Sequence, residues 1–129
     1  MQKITVLVAS TFLSRLRGLV GCRLPEGRGL LFPRCSGVHG FLMDRPLDCA
    51  FLDAGNRVIR VGTLRPWRVL FGPRGTAAVL EMEAGAAARL GLRPGVWLLP
   101  GADPGAMVVA ELPERAEGRG GGAAGQGAG

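Results

Sequence analysis

The feature that most constrains the fold is a pair of strand-like segments joined by a short turn. Leu47–Leu52 is almost entirely apolar, and Arg57–Leu64 is rich in β-branched residues, a composition that predicts two strands. Between them, Asp53 and Asn56 can hydrogen-bond to their own backbone, and Gly55 tolerates a positive φ. The sequence therefore predicts a β-hairpin near the middle of the chain.

The rest of the chain predicts further short strands and two short helices. Apolar and β-branched segments predict strands at Ile4–Val8, Gly29–Phe32, Ala77–Met82, Val96–Leu99 and Met107–Leu112. Apolar residues at helical spacing predict a helix at Phe12–Val20, and an Ala-rich segment predicts a second helix at Ala84–Leu90, which Gly91 ends. Residues 71–75 contain Gly and Pro and are predicted as a loop. The expected fold is mainly β, a compact single-domain β-sandwich or barrel-like fold with two short helices.

Length and composition indicate one domain followed by a tail. The chain has 129 residues, 47% of them hydrophobic, which is enough to form one buried core. From residue 114 onward there is no apolar segment to bury, and seven of the last twelve residues are glycine. We therefore predict a β-rich domain over residues 1–113 and a disordered Gly/Ala-rich tail over residues 114–129.

The charge balance and the cysteines bear on partners and location. The net charge is +6, carried by fifteen arginines and one lysine, and the arginines form no run. With 5% aromatic residues the chain gives no evident base-stacking platform, so we do not expect it to bind nucleic acid. Three cysteines without paired spacing favour a reducing compartment, and we expect neither a signal peptide nor a membrane span from the N-terminal segment. The prediction is a cytoplasmic protein.

A short stretch before the predicted hairpin concentrates the residues that could carry chemistry. His39 is the only histidine, and Met43 follows it by four residues. Pro46 then interrupts any helix, so a turn there could fold His39 and Met43 back towards Asp48 at the start of the first hairpin strand. Asp48 has apolar neighbours in the sequence and therefore needs a cation or hydrogen-bond donors.

Arginines of the first predicted helix could supply that cation. Arg15 and Arg17 lie off the apolar stripe of the helix, and a guanidinium can donate two hydrogen bonds to one carboxylate. We therefore predict that one of them faces Asp48. With His39 and Met43 close by, the cluster would be a ligand-binding site if it is open to solvent and a structural brace if it is sealed.

Structural roles account for the same residues equally well. His39 could be a hydrogen-bonded structural histidine, and Met43 could fill a gap in the core. Asp48 could pair with Arg45 rather than with the first helix. Asp53 is better explained as a cap of the predicted turn.

Metal binding and nucleophilic catalysis fit the sequence poorly. Three cysteines and His39 could supply zinc ligands, but their spacing lacks the close cysteine pair of most structural zinc sites. No third group is evident that would orient a nucleophile pair of Cys35 or Cys49 with His39. We therefore expect no metal and no cofactor.

Several short motifs occur in a fixed order between Ile4 and Leu99. They are Thr11-Phe12, Arg15, Gly18-Leu19, Gly29-Leu30-Leu31-Phe32, His39-x-Phe41-x-Met43, Pro46-Leu47-Asp48-x-x-Phe51-Leu52-Asp53, Leu80-Glu81-x-x-Ala84-Gly85-x-Ala87 and Gly91-Leu92-x-x-Gly95. In this order they resemble the widespread prokaryotic family called domain of unknown function 192. The resemblance implies a compact, mainly β domain, a sandwich or barrel with short helices, and it implies no established activity. The chain departs from the family pattern at Leu42, Asp44 and Val96.

The sequence leaves three functional hypotheses. The first is a non-catalytic domain that binds a small molecule or a peptide through the cluster around His39, Met43 and Asp48. The second is a hydrolase-like enzyme that uses His39 and Asp48. The third is a structural or interaction module without a pocket. A pocket lined by the predicted cluster would favour the first two hypotheses over the third.

Overall fold

The computed structural model describes residues 2–8, 27–41 and 43–111 and consists mainly of strands. The elements are β1 (Lys3–Val8), β2 (Arg28–Pro33), β3 (Gly37–His39), β4 (Leu47–Leu52), β5 (Val58–Leu64), β6 (Val69–Phe71), β7 (Ala78–Glu83), α1 (Ala86–Leu90), β8 (Trp97–Pro100) and β9 (Ala106–Ala110). The mainly β prediction is confirmed, and the predicted helix at Ala84–Leu90 is found as α1. The predicted helix at Phe12–Val20 and the predicted tail lie outside the described residues. Within those ranges, no helix is both long and apolar enough to cross a membrane.

One sheet contains most of the strands and curls into a half-barrel. Its order is β5-β4-β7-β2-β1-β9-β8, in which β1 and β2 run parallel and the other neighbours run antiparallel. The two edge strands meet where the Val58 N–H donates to the Val96 carbonyl over 2.8 Å. There the Arg57 guanidinium also lies 5.2 Å from the centroid of the Trp97 ring, a cation–π contact. Of the two predicted architectures, the barrel-like one is therefore adopted.

The central hairpin is confirmed, with β4 paired antiparallel to β5. At its turn, Asp53 Oδ1 accepts hydrogen bonds from the backbone N–H groups of Gly55 (2.8 Å) and Arg57 (2.9 Å). Asn56 has a φ of 66°, in the left-handed region that asparagine tolerates better than most residues. Asp53 is therefore the turn cap that the sequence predicted.

Side chains are buried on both faces of the curled sheet. The inner face and α1 enclose a cluster that comprises Ile4, Ala50, Leu52, Val58, Leu80, Met82, Ala86, Ala87, Leu90, Leu92, Val96 and Leu98. The outer face carries a second cluster that comprises Leu30, Phe32, Val38, Cys49, Phe51, Leu64 and Val79. Successive side chains of a strand point to opposite faces, so β4 directs Ala50 and Leu52 inwards and Cys49 and Phe51 outwards.

A small second sheet, formed by β3 and β6, covers part of the outer face. Val38 and Leu70 are opposite each other in this sheet, and both pack against the outer cluster. Neither strand was predicted from the sequence, and the loop predicted at residues 71–75 begins one residue too early because Phe71 ends β6. Strands of three residues show too little alternation to be recognised, and the packing of Val38 and Leu70 is what stabilises them.

Candidate functional site

Asp48 lies on the inner face of β4 and contacts the start of α1. Its side chain points to the same face as Ala50 and Leu52. Its Oδ2 atom accepts hydrogen bonds from the backbone N–H groups of Gly85 and Ala87, each 3.0 Å long. The first turn of a helix leaves such amides without partners inside the helix. Asp48 therefore caps α1 from another element of the fold.

This capping role predicts a moderate loss of stability. We expect Asp48→Ala to lower the free energy of unfolding by about 1–2 kcal/mol, because two amides lose their acceptor. Asp48→Asn keeps an acceptor oxygen and should cost less. Urea unfolding measures both variants, with Asp103→Ala as the control because Asp103 is exposed. Equal stability of Asp48→Ala and the wild-type protein would contradict the capping role.

His39 and Asp48 lie on different sides of β4. His39 is exposed at the end of β3, and its Nδ1 atom accepts a hydrogen bond of 3.4 Å from the Phe41 backbone N–H. β3 covers the outer face of the curled sheet, whereas Asp48 lies on the inner face. Met43 is 9% exposed and counts among the buried hydrophobic residues. The structure thus does not bring His39 and Asp48 together, and a ligand-binding role for either residue stays a prediction.

Three arginines were predicted as possible partners of Asp48. Two of them, Arg15 and Arg17, lie outside the described residues. The third, Arg45, forms a bidentate ion pair with Glu83, from Nε to Oε1 (2.9 Å) and from Nη2 to Oε2 (2.7 Å). Arg45 Nη1 also donates to Asp44 Oδ1 over 2.9 Å. These hydrogen bonds, above all those to Glu83, raise the pKa of Arg45. The pair links the segment before β4 to the end of β7.

Glu81 is a buried carboxylic acid that the sequence analysis did not single out. It is 4% exposed and stands in β7 opposite Cys49 of β4 and Leu30 of β2, on the outer face of the sheet. Burial raises the pKa of Glu81 to about 7. Within the described ranges its carboxyl group has no hydrogen-bond or ion-pair partner. Its apolar sequence neighbours are the signal that could have identified it.

The structure describes two of the three cysteines, Cys35 and Cys49, whereas Cys22 lies outside the described residues. Burial raises the pKa of Cys49 well above its usual range, and the neighbouring Glu81 adds to the effect. A thiol with a raised pKa stays protonated and is a poor nucleophile. The Cys35 thiol donates to the Gly37 carbonyl over 2.8 Å. In the part of the chain that the structure describes, no three His, Cys, Asp or Glu side chains are grouped so that they could hold a metal ion.

An exposed apolar surface over β3 and β6 forms a groove, hereafter the aromatic groove. Its volume is about 460 Å³, and it is lined by Arg34, Cys35, Ser36, Gly37, Val38, His39, Phe41, Val69 and Phe71. Val69 and Phe71 are 49% and 70% exposed, because they point away from the cluster that Leu70 joins. The Phe71 ring lies over Gly37, where an added Cβ would stand 2.6 Å from the ring. The glycine thus leaves space for the ring to cross the small sheet.

Further aromatic rings extend the groove at one end. The ring centroids of His39 and Phe41 are 4.7 Å apart, and those of Phe41 and Trp67 are 6.1 Å apart. Phe41 is 46% exposed and Trp67 is 63% exposed. Trp67 has a φ of 63°, a costly left-handed conformation for a bulky residue. Its backbone N–H donates to the Gly40 carbonyl over 2.8 Å. A strained turn therefore holds an exposed indole beside the groove, and such strain often marks functional sites.

Within the described residues, one edge of the strand β3 beside the groove is unpaired. The Gly40 N–H donates to the Arg68 carbonyl over 2.8 Å. The backbone N–H and C=O groups of every second residue, Val38 and Gly40, therefore point towards β6. The alternate residues of an antiparallel pair direct their N–H and C=O groups away from the partner strand, and these residues are Gly37 and His39. Among the described strands, β3 pairs with β6 alone. The outward groups, apart from the Gly37 carbonyl that accepts the Cys35 thiol, thus have no strand partner.

The chain is similar in sequence to the proteins of one uncharacterised family. The family model of domain of unknown function 192, described as an uncharacterised ACR, matches residues 1–98. A UPF0127 protein of Pyrococcus horikoshii is 31% identical over 94 residues, which cover 62% of this chain and 82% of the relative. A UPF0127 protein of Pyrococcus abyssi is 41% identical over 58 residues, which cover 37% of this chain and 50% of the relative. The matched segment thus spans half the length of the Pyrococcus abyssi protein.

Two solved structures are similar to this fold. A candidate transcription regulator from Sinorhizobium meliloti has a TM-score of 0.61 and 27% identity, covering 71% of this chain and 78% of that one. A protein of unknown function from Novosphingobium aromaticivorans has a TM-score of 0.58 and 27% identity, covering 70% of this chain and 71% of that one. Because the family model matches well over half of the chain, this protein belongs to the DUF192 (UPF0127) family, as its motifs predicted.

Proposed function

We propose that the aromatic groove binds an extended segment of another polypeptide, without catalysis. The observation that carries the proposal is the row of exposed apolar side chains beside a strand edge that no other described strand pairs with. Contiguous exposed apolar surface on a soluble domain usually marks an interaction site. Of the residues that the sequence suggested for ligand binding, His39 lines this groove, whereas Met43 is buried and Asp48 caps α1.

An extended peptide would contact both the edge of β3 and the exposed apolar side chains beside it. Its backbone would hydrogen-bond to the outward groups of Gly37 and His39 and add a strand to the small sheet, a mode in which main-chain bonds supply affinity. Alternate side chains of the peptide would then lie beside Phe71, where burial of apolar area favours binding. Side chains of suitable shape would therefore supply specificity.

The two other hypotheses have less support. A hydrolase would need His39 and Asp48 to act together, and their positions on different sides of β4 do not favour that pairing. A structural module without a binding site would leave the exposure of Phe41, Trp67 and Phe71 without a role. A cytoplasmic location stays a prediction based on the cysteine content.

Selection from a displayed library of random peptides tests the proposal. The library is applied to the immobilised protein after passage over the Phe71→Ser variant, which removes peptides that bind elsewhere. We expect enrichment of peptides with alternating apolar residues, and at least about a tenfold loss of affinity for them in Phe71→Ser. The matched control is Leu99→Ser, an exposed apolar residue of β8, which should bind as the wild-type protein does.

Amide chemical shifts locate the site independently of affinity. Addition of an enriched peptide should shift the amide resonances of Gly37 and His39 and slow their hydrogen exchange, because these groups gain hydrogen-bond partners. The proposal fails if no peptide is enriched over the Phe71→Ser variant, or if the shifts map to a surface away from β3.

A further inference from the structure

The two sequence intervals that contain the strands of the aromatic groove carry charged residues of one sign. The sequence has no Asp or Glu between Gly27 and Met43, nor between Ala54 and Leu80. These two intervals include β2, β3, β5 and β6. They contain Arg28, Arg34, Arg57, Arg60, Arg65, Arg68 and Arg74. The acidic residues of the chain are therefore kept out of the segments around the groove.

One of these arginines lines the groove, and a second directly precedes β6. Arg34 is one of the lining residues. Arg68 is exposed and directly precedes Val69, and its carbonyl accepts the hydrogen bond from Gly40 that joins β6 to β3. None of the lining residues is acidic. An approaching chain would therefore meet a positive potential next to apolar surface.

On the basis of the proposed function, we infer that the partner of the groove is an acidic peptide segment, with an extended apolar core flanked by Asp or Glu. Its apolar side chains contact Val69 and Phe71, and a carboxylate pairs with Arg34, since a guanidinium can donate two hydrogen bonds to one carboxylate. The edge of β3 that is left unpaired by the described strands favours a peptide over single-stranded nucleic acid, because the amide and carbonyl groups of a strand edge match those of another backbone.

Three synthetic peptides test the inference, each with the same alternating Val and Phe core and with flanks of Glu, Gln or Lys. We expect the Glu peptide to bind at least about tenfold more tightly than the Lys peptide, and its affinity to fall as NaCl is added. Arg34→Gln should weaken the Glu peptide about threefold and leave the Gln peptide unchanged. The matched control is Arg89→Gln, which removes an exposed positive charge from α1 on the inner side of the sheet.

The outcomes separate this inference from the proposed function. If all three peptides bind equally well and all lose affinity in Phe71→Ser, the acidic preference is overturned and the groove remains a peptide site. If none of them binds, both are overturned. If oligodeoxythymidine binds more tightly than the Glu peptide and displaces it, the partner is a nucleic acid and the inference is overturned.

Discussion

Glu81→Gln is expected to stabilise the protein by about 3 kcal/mol above about pH 7 and to have little effect below about pH 4.5. Glu81 is 4% exposed, and burial raises its pKa from the ordinary value of 4.5 to about 7. As the pH rises through that interval, the unfolded chain releases a proton that the folded chain still holds. The stability of the wild-type protein therefore falls between these two pH values, whereas the glutamine variant has no such group to ionise.

Urea unfolding at a series of pH values measures this effect as the difference in free energy of unfolding between variant and wild type. The control is Asp103→Asn, which neutralises an exposed carboxylate and should give a difference that hardly changes with pH. A pH-independent difference for Glu81→Gln as well would show that Glu81 ionises in the folded protein as it does in the unfolded chain.

The second large effect is expected at the ion pair of Arg45 and Glu83. Their side chains are 12% and 17% exposed and share two hydrogen bonds. Removal of one partner leaves the other charge largely buried, so we expect Arg45→Met to lower the free energy of unfolding by about 2–4 kcal/mol. Addition of Glu83→Leu removes the remaining charge, and the double variant should therefore be more stable than Arg45→Met alone.

A double-mutant cycle from urea unfolding isolates the energy of this pair. The control is Asp44→Asn, because the Asp44 side chain is 67% exposed and its bond to Arg45 should contribute less than about 0.5 kcal/mol. If the effects of Arg45→Met and Glu83→Leu simply add, the two residues do not stabilise the fold as a pair.

The parts of the fold that could be predicted are those that depend on neighbouring residues. The hairpin turn follows from Asp53 and Asn56, and the end of α1 follows from Gly91, which has a φ of 75°. The small sheet depends instead on the packing of Val38 and Leu70 against the outer face. Nothing within a few residues of either side chain indicates that packing, so the sequence could not predict it.

The candidate site likewise depends partly on neighbouring residues and partly on contacts between distant ones. The sequence correctly indicates that Asp48 needs partners, but its partners are backbone amides of α1, which no side-chain pattern identifies. Phe41 lies far along the chain from Trp67 and Phe71, and the three rings are grouped only when β3 and β6 pair. The aromatic groove therefore could not be predicted without the fold.

The position of β1 between β2 and β9 determines when the curled sheet can be completed during synthesis. The β4–β5 hairpin and β7 lie within residues 47–83 and can pair as soon as that segment leaves the ribosome. Among the described strands β1 is made first, yet its second neighbour is β9 (Ala106–Ala110). One edge of β1 therefore stays unpaired until almost all of the described chain has been synthesised. An unpaired strand edge is a site at which incomplete chains can associate wrongly. We therefore expect misassembly of the nascent protein to occur chiefly in the interval between the synthesis of β1 and that of β9.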